Sequence, residues 1–439
     1  MAIFIFKTMT EAKKTVLFAK HTPSASCEAR EGGKAQIVPF AGWMMPVWYQ
    51  SISAEHEAVR KRAGLFDCTH MAVLKIAGKD ASNFLNILAT NDVSMLKPGK
   101  AQYSYILNPA GDIIDDIIIY CISNDNFMMV ANAANEQKVK DWIAKVRTEK
   151  ILIDSKWQFE VKDLKDSSLP DARVDIALQG PASAQCLKNI FGVDVSKLKS
   201  LTFINVKAEG LDVIISSTGY PGAKVSFELF VHPEKASLLW DMILEKGKSL
   251  VPLETGRHGR PSGVNDALSL TGLGIIPCGL GSRDSLRIEA GLPLYGHELA
   301  GEFNISPFQA GYPWAVKLQK KNFIGKEAIA KKAVNFSTEV ARLKFDGSKG
   351  VRPIRQFDGI LNSDGICIGQ VLSCAGAGDK QIVLALIQKE YNIAERQVGI
   401  YYLARNQGHI QQGRKEKVKP GDSLAADIIG KVVERFEKF

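Results

Sequence analysis

Two periods of hydrophobic and polar positions run along the chain and divide it into strands and helices. Period-two or continuous apolar runs predict strands at residues 73–77, 103–107, 113–120 and 127–131. The second and third are joined by Asn108, Pro109, Ala110, Gly111 and Asp112, a run that holds three turn formers. Helical spacing predicts a helix beginning at Ser53, where a serine start is followed by an acidic first turn. A second helix is predicted over 79–88, with Ala81, Phe84, Leu85 and Leu88 on one face, and a third over 135–146. Further on, a strand over 174–178 ends at Gln179, Gly180 and Pro181, a helix follows over 182–189, and strands recur at 211–216 and 225–231. Residues 247–274 break the rhythm: they are rich in Gly, Ser, Pro and Thr and carry Arg257, His258 and Arg260. From Ala341 onward, short strands at 343–345, 369–372, 382–386 and 399–403 predict a small β-barrel or sandwich. The pattern as a whole is α+β, two mixed units followed by an all-β tail.

Composition narrows the class. A chain of 439 residues makes two to four domains, and 46% hydrophobic with 23% charged residues is too apolar for disorder. No apolar run approaches the ~20 residues of a membrane-spanning helix. The seven cysteines are odd in number and never spaced as C-x-x-C, which reads as reduced thiols. The first six residues make a poor secretory signal, so the expected compartment is the cytosol, with an organellar matrix second. Lys and Arg exceed Asp and Glu by 56 to 47, a net charge of +9 that invites nucleic acid, an acidic protein or a polyanionic cofactor.

Candidate chemistry lies where charge interrupts apolar strands. Asp115 and Asp116 sit within the predicted strand 113–120, and side-chain alternation aims them at opposite faces. At least one then shares a face with apolar neighbours, where an ionised carboxylate is costly unless paired. Glu228 stands alone in a similar run after the turn Gly219, Tyr220, Pro221 and Gly222. Both cases also have a plain structural reading: for the pair, an edge strand with one Asp solvated and the other satisfying a nearby turn, and for Glu228, an exposed glutamate on a strand face. The run 279–291 reads as a loop entering a helix; its N-terminus together with Arg283 forms a seat for an anionic or carbonyl-rich ligand, or else Arg283, Asp284 and Arg287 make a surface ion network. No nucleotide phosphate loop is present, and His56, Asp67 and His70 fit no metal-ligand spacing. Basic residues are dispersed without interleaved aromatics, which disfavours nucleic acid.

Taken together, the unusual runs resemble a known family. Phe40-Ala41-Gly42-Trp43, then Glu55-His56-Glu57-Ala58-Val59-Arg60, then Gly64-Leu65-Phe66-Asp67 are similar to the opening of the aminomethyltransferase (T-protein) of the glycine cleavage system. The likeness continues through Thr90-Asn91-Asp92-Val93, Ile114-Asp115-Asp116, Leu178-Gln179-Gly180-Pro181, Ser217-Thr218-Gly219-Tyr220, Leu294-Tyr295-Gly296 and Asn322-Phe323-Ile324-Gly325-Lys326-Glu327. It implies an α+β fold in a three-domain cloverleaf: two mixed antiparallel-sheet domains and a C-terminal β-barrel domain around a central folate channel. The implied organisation is an N-terminal extension over 1–35, a folate-binding region over 36–335 with an insertion at 247–274, and a barrel over 336–439.

The resemblance also implies roles. Asp116 is the expected catalytic residue, near the reactive folate nitrogens, and Glu228 pairs with the aminopyrimidine edge of the pterin. Tyr103, Asn132, Tyr220 and Arg283 map to other cofactor-binding positions. The implied cofactor is tetrahydrofolate and the implied partner a lipoylated H-protein, usually acidic, met by a monomer that binds neither membrane nor metal. The chain departs from the family at Pro221-Gly222-Ala223, where an acidic residue is usual, and at residues 419–439, which replace a C-terminal Pro-Phe-Val segment whose tyrosine reaches the folate. A folate-dependent demethylase of the same fold and a non-catalytic folate-binding protein are the alternatives. The latter branch carries a Lys-Gly-Cys signature absent at Lys321-Asn322-Phe323.

Overall fold

The computed structural model describes residues 12–21, 35–220, 222–248, 250 and 274–436. Most of the basic stretch within 247–274 therefore lies outside the described residues. The chain divides into two compact units: one comprises Ala72–Lys162 and the chain from Asp284 on, the other the described residues up to Met71 together with Asp163–Arg283.

In the first unit, a five-stranded sheet runs in the order Lys100–Leu107, Ile113–Ser123, Asn126–Ala131, Ala72–Ala77, Glu160–Asp163. Its Ile, Val, Met and Phe side chains pack with helices Ala81–Leu88 and Glu136–Thr148 through Phe84, Leu85, Val139 and Ile143. Phe84 and Leu85 belong to the apolar face expected of the second predicted helix. The same unit holds a closed six-stranded barrel: Thr338–Asp346, Lys380–Gln388, Cys367–Ala377, Gly359–Leu361, Gln397–Tyr401 and Ile428–Val433. The pattern located four of these strands. Gly359–Leu361 is too short to display a period, and Ile428–Val433 is broken by Gly430 and Lys431, so both are recognisable only once the barrel closes.

In the second unit, a six-stranded sheet runs Phe203–Ala208, Leu211–Ser216, Ser226–Val231, Val174–Gln179, Ala63–Asp67, Ile275–Cys278, antiparallel except for its last pair. One face buries Val174, Ile176, Leu178, Leu229 and Val231 against helices Ser183–Phe191 and Pro233–Gly247. The early segment is built into this unit: Lys13–Lys14 pairs in parallel with Trp43–Trp48, and Leu17 is fully buried in the same core. His21 donates or accepts at both ring nitrogens, 2.8 Å from Asp67 Oδ2 and 2.7 Å from the Tyr49 hydroxyl. Asp67 also accepts from Thr15 and Thr69. Burial alone would raise its carboxyl, but the His21 bond and charge hold it below the ordinary value.

The helix predicted to begin at Ser53 spans Ile52–Lys61, and its cap is Ser51, whose Oγ accepts from the Ala54 N–H at 3.2 Å. A capping oxygen reaches the N–H two or three residues ahead, a condition that Ser51 meets.

Candidate active site

Asp116 lies on the long strand Ile113–Ser123, whose β-branched residues favour the extended backbone. Pairing with the neighbouring strand slips just before it: Ile106 faces Asp115 while Leu107 faces Ile113, so Ile114 is an extra residue. Such a bulge bends the strand and re-aims the side chains beside it. Beyond the bulge the pairing is regular, Ile106 with Asp115 and Tyr105 with Asp116, as strand alternation predicts. One amide nevertheless reaches both carboxylates: Asn132, just past the strand Asn126–Ala131, donates from Nδ2 to Asp115 Oδ1 at 2.8 Å and to Asp116 Oδ1 at 2.9 Å.

The two carboxylates have different surroundings. Asp115 is fully buried and accepts from Asn132 N at 2.8 Å, Asn132 Nδ2 and Asn135 Nδ2 at 2.6 Å, so it fixes the turn that opens helix Glu136–Thr148. Burial and the neighbouring Asp116 charge raise its carboxyl well above the usual range. Asp116 is half-buried and accepts from the Tyr103 hydroxyl at 3.0 Å as well as from Asn132. Burial raises its carboxyl too, against the pull of those two donors. Tyr103 is itself pushed far up by burial and by Asp116, which keeps its hydroxyl protonated as the donor. A carboxylate held by two donors, with its proton affinity raised by burial, can accept and return a proton.

Beside this group stands an aromatic cluster that the sequence reading missed. Tyr103, Tyr312 and Trp314 lie 5.7 Å apart ring to ring, and Phe436 meets Tyr312 edge-on at 5.4 Å. Arg435 stacks on Phe436 at 5.2 Å. Its three guanidinium nitrogens are buried without a hydrogen-bond partner among the described residues, and burial draws its pKa down to about 10. The divergent tail over 419–439 thus brings an aromatic ring and a cation to Tyr312. Tyr312, Pro313 and Trp314 form an aromatic pair about a proline that the sequence displayed, whereas the contact with the tail has no local signal.

Glu228, Tyr220 and Arg283 come together in the second unit. Thr218 donates from its hydroxyl to Glu228 Oε2, and Arg283 lies 5.2 Å over the Tyr220 ring while donating to the Tyr220 carbonyl at 3.3 Å. Gln179 donates to that same carbonyl, fixing the turn. Gly219 is required there because a Cβ would fall 2.0 Å from the Ser226 side chain. Burial works against the Arg283 charge, but Cys68, Tyr220, Asp175 and Glu228 offset it and raise the guanidinium pKa. Tyr103, Asp116 and Asn132 therefore converge in one unit, and Tyr220, Glu228 and Arg283 in the other.

Two readings of the run 279–291 need correction. The seat for an anion at the start of helix Leu280–Glu289 is occupied by the chain's own Glu55, which accepts from Gly279 N at 2.8 Å and Ser282 Oγ at 3.1 Å. Its other oxygen accepts from Tyr49 N at 2.5 Å and Gln50 N at 3.2 Å. A Cβ at Gly279 would lie 2.3 Å from the Val47 carbonyl, so glycine is needed for this approach. Burial raises the Glu55 carboxyl against these donors. Glu55→Ala is expected to lower the unfolding free energy by about 3 kcal/mol or more, because three backbone N–H groups lose their acceptor. A loss under about 1 kcal/mol in urea denaturation would contradict this. The surface ion network is likewise an interior one: Arg287 is 1% exposed and bonds Asp284 at 2.9 Å, Glu298 at 2.5 Å and Ser373 at 2.9 Å.

A family model described as the GCVT N-terminal domain matches residues 27–263 and 262–320. The aminomethyltransferase of Chlorobaculum tepidum is 38% identical over 363 residues, covering 82% of this chain and 86% of that protein. The chain belongs to the aminomethyltransferase family. A second such enzyme, from Thermoanaerobacter sp. strain X514, is 38% identical over 313 residues, 71% of this chain and 74% of its own. The solved glycine cleavage system aminomethyltransferase T from Bartonella henselae superposes with a TM-score of 0.71 at 26% identity, over 96% of this chain and 97% of that one. The mixed sheets and closed barrel are thus the T-protein fold, and the protein is a transferase, the aminomethyltransferase of glycine cleavage. A demethylase and a non-catalytic binder are not favoured. No helix among the described residues is long and apolar enough to cross a membrane.

Proposed function

We propose that this aminomethyltransferase receives the aminomethyl-lipoyl arm of an H-protein, passes its methylene carbon to tetrahydrofolate and releases ammonia. The single observation that carries the reading is Asp116, half-buried and pinned between the Tyr103 hydroxyl and the Asn132 amide. The donors of each unit, taken by itself, suit groups of a reduced folate. Glu228 offers a carboxylate to an edge with two N–H donors, Tyr220 with Arg283 offers a flat cationic surface, and Tyr103, Tyr312 and Trp314 offer aromatic faces.

When bound, tetrahydrofolate supplies the amine nitrogens that take the methylene carbon. Asp116 would orient the attacking amine and hold its proton at a carboxylate oxygen until the leaving ammonia can take it, a role typically worth ~10² to 10⁴ in rate, while the second amine proton would go to the lipoyl sulfur as its bond to carbon breaks. Tyr103 and Asn132 hold that carboxylate in place. Glu228 would accept two parallel hydrogen bonds from the aminopyrimidine edge, and the stacked Tyr220 and Arg283 side chains would offer the ring a flat cationic surface.

The excess of 56 Lys and Arg over 47 Asp and Glu fits an acidic carrier and steers the encounter. Raising the salt from low ionic strength to ~0.15 M, where the Debye length is about 8 Å, is expected to raise KM for the carrier several-fold and to leave kcat nearly unchanged. A salt-independent KM would remove the steering. The donor is tested by offering the one-carbon unit either on the lipoylated carrier or as free glycine. Ammonia release from the carrier alone is expected, and release from free glycine would contradict the reading.

A further inference from the structure

Asp175 is a carboxylate that the mechanism above does not use. It sits in the strand Val174–Gln179, a single acidic residue among apolar ones. In the register with Ser226–Val231, Ala177 faces Glu228 and Asp175 faces Phe230. Side chains two apart on a strand share a face, so Asp175 lies on the Glu228 face as its diagonal neighbour, within reach of a long side chain. The other face, through Val174, Ile176, Leu178, Leu229 and Val231, is the apolar core.

Asp175 is 1% exposed, and its Oδ1 is buried without a hydrogen-bond partner among the described residues. An ionised carboxylate there has no donor at Oδ1 and only the Arg283 charge to set against its burial, which favours the protonated form. Glu228 stands differently: Thr218 donates a hydrogen bond to one of its oxygens, while the Arg283 charge is near both carboxyls. Among the described residues, the titratable and charged groups that act on the pair include Arg283, Asp67, Cys68 and Tyr220. Burial is the largest influence raising the Asp175 carboxyl, the Glu228 charge comes second, Arg283 opposes both and Asp67 adds to them. The protons of two such neighbours leave in steps that belong to the pair.

We propose that Asp175 is a positioning residue: it keeps one proton and donates it in an O–H···O bond to Glu228, which holds Glu228 ionised and turned toward the aminopyrimidine edge of the folate. This rests on the assignment of Glu228 to that edge. The form that binds folate then contains one proton shared by the two carboxyls. When that proton is lost at higher pH, two adjacent negative charges repel and Glu228 is no longer held.

The test is tetrahydrofolate affinity by titration calorimetry from about pH 6 to 9.5 for wild type, Asp175→Asn and Asp175→Leu. Wild-type affinity should fall toward tenfold per pH unit above the upper ionisation of the pair. Asp175→Asn, whose amide donates at every pH, should bind within about threefold of wild type at neutral pH and lose the alkaline fall, while Asp175→Leu should bind at least ~10-fold more weakly. A measurement that needs no variant is wild-type binding in buffers of different ionisation enthalpy, where uptake should approach one proton per folate on the alkaline side. An unchanged alkaline fall in Asp175→Asn, or no uptake in wild type up to about pH 9.5, overturns the proposal. Wild type that binds no tetrahydrofolate at any pH overturns the Glu228 assignment and this inference with it. Folate binding without the alkaline fall overturns this inference alone.

Discussion

Asp116→Asn is expected to lower turnover by at least ~10²-fold while leaving folding and tetrahydrofolate affinity nearly intact. Asparagine has the shape of aspartate and still offers one oxygen to the Tyr103 hydroxyl, which donates to Asp116 at 3.0 Å in the native chain. It cannot take a proton from the attacking amine. The pH profile carries the same argument. Burial raises the Asp116 carboxyl against the opposing bonds from Tyr103 and Asn132. The base form is therefore lost as pH falls through a value above the ordinary aspartate pKa of about 3.9, and wild-type kcat/KM should decline on that acid limb. The Asn variant should lack the limb. Single-turnover ammonia release, folate calorimetry and thermal unfolding of the two proteins together separate chemistry from binding and folding. Near-normal turnover in the variant would remove Asp116 from catalysis.

Glu228→Ala is expected to weaken tetrahydrofolate binding by roughly 10²-fold, about 3 kcal/mol, because the pterin edge loses both of its charged acceptors. Its position explains the size of the effect. Glu228 is 5% exposed, on the sheet face opposite the apolar core, with Thr218 bonded to one oxygen. Alanine there leaves the N–H donors of the ring facing a space with no acceptor, which costs more than a lost surface bond. Because the alanine also relieves the charge beside Asp175, the variant protein is expected to remain folded, and its circular dichroism and melting curve provide the control. Unchanged affinity in calorimetry would refute the assignment of Glu228 to the pterin.

Several parts of this site were legible in the chain before folding was considered. Asp116, one of an adjacent pair of carboxylates, and Glu228, alone in its run, stand out as charges inside apolar strands, and the β-branched run over 113–120 makes its strand plain. Asp175 emits the same signal in the shorter strand Val174–Gln179, yet its meaning depends on Glu228, fifty-odd residues away and paired only through the sheet register. Other features could not be read locally. The bulge at Ile114 exists only relative to the partner strand Lys100–Leu107, and the Asn132 amide that joins Asp115 to Asp116 comes from another strand's end. Glu55 resembled an ordinary first-turn acid, but its partner Gly279 is 224 positions further along, so the seat at that helix start looked vacant. Arg435 and Phe436 belong to a tail with no family pattern, and their contact with Tyr312 comes from tertiary packing alone. Periodicity reports a side chain's face, while the occupant of that face is set by residues distant in sequence.

The central claim is folate-dependent transfer from an aminomethyl-loaded carrier, and it is tested most directly by ammonia release from that carrier with and without tetrahydrofolate. Rapid release that requires tetrahydrofolate, with formation of its methylene adduct, is the predicted result. Release at the same rate without tetrahydrofolate, or folate binding with no release, would contradict it.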